Sequence, residues 1–295
     1  MKNSILVFYF LVFSVVCTAQ KNEEAGRIPV LLRLDDIGMC HAVNMAAKQV
    51  LETGMPVSMS VMVPCPWFTE AVELLKNYKN VSIGIHLTLN SEWKNYRWGP
   101  VAGASLVPSL VDSMGHFFPT RAGLFGNNPK LGEIEAELRA QIEKALKAGL
   151  KIDYFDYHMG AAMQTLETRA IVEKLAAEYK VSISRYYDEV EVQGAYFAPF
   201  NSKRDTMIHK LQSAPPGGTK MFVIHIGLEG PEMDALEDLN PGGPKEMSRH
   251  RNAELNAVLS PQFRQLLYDS KYRLVNYRML NEEKGLDAMK RPVIR

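Results

Sequence analysis

The chain has 295 residues, of which 46% are hydrophobic and 23% charged, and its formal net charge is +1 at pH 7. This composition excludes intrinsic disorder, and the length allows one large α/β domain or two ordinary ones. The nearly neutral charge argues against a nucleic-acid partner and against electrostatic binding to a membrane.

The N-terminus has the pattern of a secretory signal peptide. Lys2 supplies positive charge, residues 5–16 form an apolar run too short to span a bilayer comfortably, and small residues precede a cleavage point after Ala19. We predict a signal peptide over 1–19 and a polar linker over 20–27. The mature chain would then be periplasmic or extracellular and free of the membrane; an uncleaved anchor is the alternative. Cys40 and Cys65 are expected to be buried free thiols rather than a disulfide.

Beyond the linker, apolar runs typical of strands alternate with helical patterns. The elements predicted in chain order are strand 30–34, helix 42–53, strand 57–63, helix 68–77, strand 81–89, helix 134–148, strand 152–157, helix 168–179, strands 181–185 and 220–226, helix 252–259, a stretch of unassigned type over 261–269, and strand 272–276. Such alternation predicts a parallel sheet, either doubly wound or closed into a barrel. Neither Rossmann nor P-loop glycine spacing occurs. Seven strands fit a TIM-like (β/α) barrel, which we predict as a single domain over 28–295.

The segment 90–130, which follows the third predicted strand, is too long for a structureless connector. It carries a group of aromatic residues, namely Trp93, Tyr96, Trp98, Phe117 and Phe118. We interpret it as a substrate-binding insertion. The alternative is a packed structural loop, since aromatic side chains often simply fill space.

Two carboxylates, Asp35 and Asp36, stand side by side where the first predicted strand ends. Adjacent buried carboxylates resist joint ionisation, so a fold that keeps them usually supplies a metal ion or a catalytic proton. A simple turn is the alternative, since Asp and the following Gly38 both favour turns. Successive strand residues face opposite ways, so both can face one site only if the strand breaks, and we place that break at Ile37–Gly38.

Histidines occupy corresponding places in three other predicted strands. His86 lies late in the third, His158 follows the fourth and His225 lies in the sixth. In a (β/α) barrel these positions meet at one rim, where catalytic residues lie. Two imidazoles and one carboxylate suit a catalytic divalent metal, which polarises a carbonyl and acidifies water. A second carboxylate can act as base and a further histidine as acid, which are the parts needed to hydrolyse an amide or ester.

The sequence resembles the YdjC-type carbohydrate deacetylases, a family that includes chito-oligosaccharide deacetylases and is related to the NodB-type polysaccharide deacetylases. The resemblance follows the order and spacing of several motifs along almost the whole chain after the predicted signal peptide. These motifs are Leu32–Gly38, Val43–Asn44, Ser58–Val63, Gly84–Thr88, Pro108–Asp112, Glu137–Gln141, Asp156–His158 and Arg251–Leu255.

The resemblance implies a (β/α) barrel and a metal-dependent removal of acetyl groups from N-acetylated sugars. It assigns the metal to Asp36, His86 and His158, the base to Asp35 and the acid to His225. One divalent ion is implied: the ligand types suit zinc, while family members are commonly assigned magnesium. The family motif His-Pro-Gly near the sixth strand is His-Ile-Gly here.

Three further residues are candidates for substrate contacts or for support of the metal ligands. Asp156 shares a strand face with His158, whereas Arg185 closes the fifth predicted strand and Trp67 follows the second. The partner implied is a small carbohydrate, and a homodimer is left open. Two other functions are kept as alternatives: a metal-independent glycosidase and a non-catalytic glycan-binding protein on the same barrel.

Overall fold

The computed structural model describes residues 26–192 and 195–292. The predicted signal peptide and most of the predicted linker lie outside the described residues. The strands are β1 Ile28–Ile37, β2 Val57–Val61, β3 Val81–Leu87, β4 Tyr154–Tyr157, β5 Ser182–Ile183, β6 Val190–Glu191, β7 Lys220–Ile224 and β8 Tyr272–Val275. The α-helices are α1 His41–Leu51, α2 Phe68–Leu75, α3 Arg121–Gly126, α4 Leu131–Lys147, α5 Leu166–Tyr179, α6 Lys203–Gln212, α7 Pro231–Asp234, α8 Met247–Leu259, α9 Pro261–Leu267 and α10 Tyr277–Lys284.

The strands form one parallel sheet in the order β5-β4-β3-β2-β1-β7-β6, with β8 paired to the first half of β1. The sheet curls strongly. The curl is evident from the contact of β1 with the end of β5, where Arg33 donates to the hydroxyl of Ser184 at 2.7 Å. In a flat sheet those strands would lie ~19 Å apart, which is four strand spacings. The predicted (β/α) barrel-like fold is confirmed, and its sheet forms a half-barrel. The two-residue strand β6, which is too short to show a sequence period, adds to the seven predicted strands.

The core has two layers. The larger layer lies between the sheet and the helices, and the smaller fills the inside of the curled sheet. Inside, Tyr154 stacks on Tyr277 with ring centroids 4.1 Å apart. Gly84 is required there, since a Cβ at that position would lie 2.3 Å from the Tyr154 ring. Because these rings fill the barrel interior, the remaining space opens where the strands end.

The insertion over 90–130 is packed structure around a polar anchor. Trp93, Trp98 and Phe117 are all buried, so these aromatics hold the segment together. Two buried side chains of α4 fix its course. Glu137 accepts hydrogen bonds from the backbone N–H groups of residues 101 and 102. Gln141 accepts from the backbone N–H of Thr88 and donates to its carbonyl. The Glu-Leu-x-x-Gln motif therefore has a structural use.

Two further expectations concern the cysteines and the membrane. Cys40 and Cys65 are both buried and unbridged, as predicted. Across the part of the chain that the structure describes, no helix combines the length and apolar character needed to cross a bilayer.

Candidate functional site

A cavity of about 580 Å³ opens at the carboxyl ends of the strands. Polar and charged side chains dominate its lining, as the carboxyl ends of barrel strands predict. Six of the eight residues predicted for the site line it, namely Asp35, Asp36, His86, His158, Arg185 and His225. Asp156 is fully buried and Trp67 is exposed, and neither is among the residues that line the cavity.

A β-bulge directs both members of the carboxylate pair into the cavity. Asp35 and Asp36 together oppose the single residue Ser60 of β2, and β1 then resumes pairing. Asp36 adopts a φ of +66°, which is unfavourable for a residue with a Cβ. The predicted break in the strand is therefore present, but it lies at Asp36 rather than at Ile37–Gly38. Strain of this kind is typical of functional sites.

Asp36, His86 and His158 converge as predicted. Asp36 Oδ1 lies 3.4 Å from His86 Nε2 and 3.3 Å from His158 Nδ1, and all three side chains are buried. Within the described chain, Oδ1 has no hydrogen-bond partner, while Oδ2 accepts from Arg251 Nη2 at 2.6 Å. A buried oxygen left without a partner beside two imidazole nitrogens fits a divalent metal ion. Burial opposes ionisation of Asp36, but the charge of Arg251 together with the contacts of His158 and His86 outweighs it and lowers the pKa.

The outer nitrogen of each of these imidazoles faces a second carboxylate. His86 Nδ1 lies 3.0 Å from Asp156 Oδ1, and His158 Nε2 lies 2.8 Å from Glu92 Oε2. Such partners fix the tautomer and the ring orientation of metal ligands. Burial lowers the pKa of both rings, but the carboxylates outweigh it: the pKa of His86 is raised, and that of His158 rises to about 9.

Sequence reasoning placed Asp156 in this supporting role and missed Glu92. Glu92 belongs to the insertion and does not lie at the end of a strand. The nearest signal was its position in a short polar segment six residues after His86.

Asp35 is held by an arginine from its own strand. Arg33 donates from Nε and Nη2 to the two carboxylate oxygens, at 2.8 and 2.7 Å, and its Nε also lies 3.1 Å from Asp156 Oδ2. Burial raises the pKa of Asp35, but Arg33 and then His86 outweigh it and bring the pKa to about 2. Asp35 is thus ionised and fixed in direction at neutral pH. Arg33 was also missed, although its spacing of two residues from Asp35 placed both on one strand face.

His225 follows β7 directly on the opposite side of the cavity. Its ring centroid lies 5.1 Å from that of Tyr196, with the planes 64° apart. Its backbone N–H donates to Glu254 Oε2 at 2.6 Å. No residue in 26–192 or 195–292 bonds to its Nδ1. The ring is therefore free of carboxylate contacts at that nitrogen.

The two remaining candidates differ in position. Arg185 lines the cavity and forms an ion pair with Glu191, so a rim contact and a substrate contact both remain compatible with its place. Trp67 instead packs against His41, with ring centroids 5.0 Å apart, and is not brought together with the other site residues.

Comparisons with known proteins agree with this architecture. A family model described as "YdjC-like protein" matches residues 29–269. Carbohydrate deacetylases of Brevibacillus brevis and Thermus thermophilus are 35% and 33% identical over 156 residues, which cover 52% and 53% of this chain and 58% and 53% of theirs. The match thus spans little more than half the length of these relatives.

A crystal structure of similar fold comes from Enterococcus faecalis, where the protein is a candidate for cellobiose-phosphate cleavage. It matches with a TM-score of 0.71 and 20% identity, over 86% of this chain and 99% of that one. At this identity the likeness concerns the fold alone. The family model, in contrast, covers most of the sequence, and the chain therefore belongs to the YdjC-like family.

Proposed function

We propose that the protein is a metal-dependent hydrolase that removes acetyl groups from N-acetylated sugars. The observation that carries the proposal is the convergence of Asp36, His86 and His158 on one unpartnered carboxylate oxygen, beside the ionised Asp35. Family membership supports it, as do the relatives named carbohydrate deacetylase. The substrate would be a small carbohydrate that enters the cavity.

The proposed reaction divides the work among residues on two sides of the cavity. Asp36, His86 and His158 would hold a divalent ion, which would supply Lewis acidity toward an acetyl carbonyl and a water molecule. Asp35 takes a proton from the water as its oxygen attacks the carbonyl carbon. His225 then donates a proton to the sugar nitrogen as the carbon–nitrogen bond breaks. The products are acetate and an amino sugar.

The neighbouring arginines prepare the two carboxylates for different tasks. Arg33 occupies both oxygens of Asp35 along one edge and keeps the group ionised, as a base must be. Arg251 occupies one oxygen of Asp36 and leaves the other to a metal ion. The donor set of two nitrogens and one oxygen suits zinc or another transition ion, and magnesium is the alternative that the family suggests.

The same pKa directions weigh against the glycosidase alternative. A glycosidase needs a protonated carboxyl group to donate to the leaving oxygen. Asp35, with a pKa of about 2, stays ionised, and the pKa of Asp36 is lowered too. Neither member of the pair suits the role of a carboxylic acid donor.

The decisive experiment measures acetate release from N-acetylglucosamine oligomers by the wild-type protein, Asp35→Asn and Asp153→Asn. Asp153 is a matched control, because it is also a carboxylate held by two nitrogens of one arginine, Arg278. We expect Asp35→Asn to lower kcat at least ~10²-fold, with metal content unchanged, and Asp153→Asn to keep kcat. Chelation should abolish the wild-type reaction, and zinc or magnesium should restore it. Sugar binding without turnover under either metal would favour the glycan-binding alternative.

Export is a separate part of the proposal, supported by the pattern of residues 1–19. Fractionation of cells that produce the full chain should recover the protein in the periplasm or the medium, shortened at its N-terminus. Recovery of the uncleaved chain in the membrane fraction would indicate the anchor instead.

A further inference from the structure

We infer that the buried ion pair of Lys203 and Glu254 is a positioning device for His225. The inference rests on the proposed role of His225 as the acid, because the position of its ring then sets the rate of proton donation. Lys203 begins α6 and Glu254 lies in α8, and neither is among the residues that line the cavity. The two are therefore positioning residues that act through their neighbours.

Glu254 fixes the backbone of His225. Its Oε2 accepts the His225 N–H at 2.6 Å, and the carboxylate is almost completely buried. Hydrogen bonds to an ionised acceptor are about twice as strong as neutral ones. This bond lies immediately after β7 ends at Ile224, where the sheet ladder no longer holds the chain. It therefore determines where the Cα of His225 lies above the barrel.

Lys203 fixes the segment that packs against the His225 ring. Its fully buried ammonium group donates to Glu254 Oε1 at 2.8 Å, to the carbonyl of Ala195 at 3.0 Å and to the carbonyl of Tyr196 at 2.9 Å. All three ammonium donors are thus used. Tyr196 in turn presents its ring to that of His225. Lys203 therefore restrains the ring of His225 indirectly, through Tyr196, whereas Glu254 restrains its backbone directly.

These restraints matter because the ring has no carboxylate of its own to orient it. Among the described residues, nothing bonds to His225 Nδ1. Burying an ion pair is costly, and replacing such a pair by apolar residues is often neutral or stabilising. A role in placing His225 explains why the structure behind the cavity keeps a charged pair where an apolar one would suffice for folding.

Two double variants separate positioning from stability, because both remove the buried charges. In Lys203→Met/Glu254→Gln the new amide oxygen can still accept from the His225 N–H. In Lys203→Met/Glu254→Met no acceptor remains. We expect the methionine pair to lower kcat for acetate release at least ~10-fold, with KM and metal content unchanged. The glutamine pair should stay within ~3-fold of wild type. Equal kcat in the two variants would overturn the inference.

A second measurement needs no turnover, and its first part needs only the wild-type protein. In wild-type protein with ¹⁵N-labelled histidine, we expect the His225 amide proton to resonate far downfield and to exchange slowly. In the methionine pair, the His225 ring signals should lose their shift from the Tyr196 ring. An ordinary, rapidly exchanging His225 amide in the wild type would overturn the inference. Absence of acetate release, in contrast, would overturn only the proposed function.

Discussion

The two sides of the cavity hold their histidines by different means. On the side of β3 and β4, His86 and His158 each turn one nitrogen toward Asp36 and the other toward a carboxylate. On the side of β7, His225 is held through its backbone N–H and the face of a tyrosine. A metal ligand must keep one tautomer and one lone-pair direction, which a carboxylate secures. A proton donor must instead leave one ring nitrogen free to transfer its proton.

One helix connects the two sides. Arg251 and Glu254 lie about one turn apart on α8, so both can point toward the barrel from the same face. Arg251 bonds to Asp36 on the side of the proposed metal ligands, whereas Glu254 bonds to His225 on the side of the proposed acid. The Arg-x-x-Glu-Leu motif thereby contacts both sides of the cavity from one helix.

The strongest test of this division substitutes one residue on each side. Asp36→Asn removes the anionic ligand and leaves Arg251 unpaired, so we expect both metal content and acetate release to be lost. His225→Gln should keep the metal and lower kcat by ~10²- to 10³-fold, because only proton donation is lost. Elemental analysis and kinetics on the same preparations decide the matter. A His225→Gln protein without metal would show that the two sides are not independent.

An intermediate effect is expected at Glu92, which contacts the proposed ligand His158 and is not itself a proposed ligand. Glu92→Gln removes the charge that orients His158 and should weaken metal affinity by ~10- to 100-fold. Competition with a chromogenic chelator measures the dissociation constant. Glu237→Gln is the matched control, since that carboxylate is exposed and pairs with Lys94. Equal affinities in the two variants would contradict a supporting role for Glu92.

The sequence predicts those parts of the site that follow from regular geometry. Strands of one parallel sheet end at one edge, so polar residues at those ends had to meet, and Asp36, His86 and His158 do. The parts that were missed depend on irregular backbone. Glu92 belongs to the insertion. The strand break at Asp36 results from a bulge, which is visible only in the pairing of β1 with β2.

Trp67 is the opposite case, a residue that the sequence predicts for the site and that does not line the cavity. An aromatic residue soon after a strand end was a reasonable substrate contact, yet the helix that begins at Phe68 carries the indole to His41 and away from the cavity. Side-chain direction at a loop–helix junction depends on tertiary packing. Sequence spacing therefore identifies the rim of a barrel more reliably than it identifies which rim residues face inward.

The smallest expected effect is a coupling between metal binding and proton release. We expect it only on the side of β3 and β4, where carboxylates contact the imidazoles. Glu92 and Asp36 raise the pKa of His158 to about 9 against the effect of burial, so the metal-free protein holds this proton at pH 7. A metal ion needs the neutral imidazole and must displace the proton. As the pH falls below 9, apparent affinity should therefore drop about tenfold per pH unit for each proton displaced.

Calorimetry at pH 7, in two buffers of different ionisation enthalpy, should detect release of about one proton or more per metal ion bound. Glu92→Gln removes the charge that raises the pKa, so His158 is deprotonated over more of the neutral range and the release should decrease. His225→Gln should leave the release unchanged, because His225 contributes no ligand. Metal binding without proton release in the wild type would show that the carboxylates orient the imidazoles without keeping them protonated, and the contrast between the two sides would then rest on geometry alone.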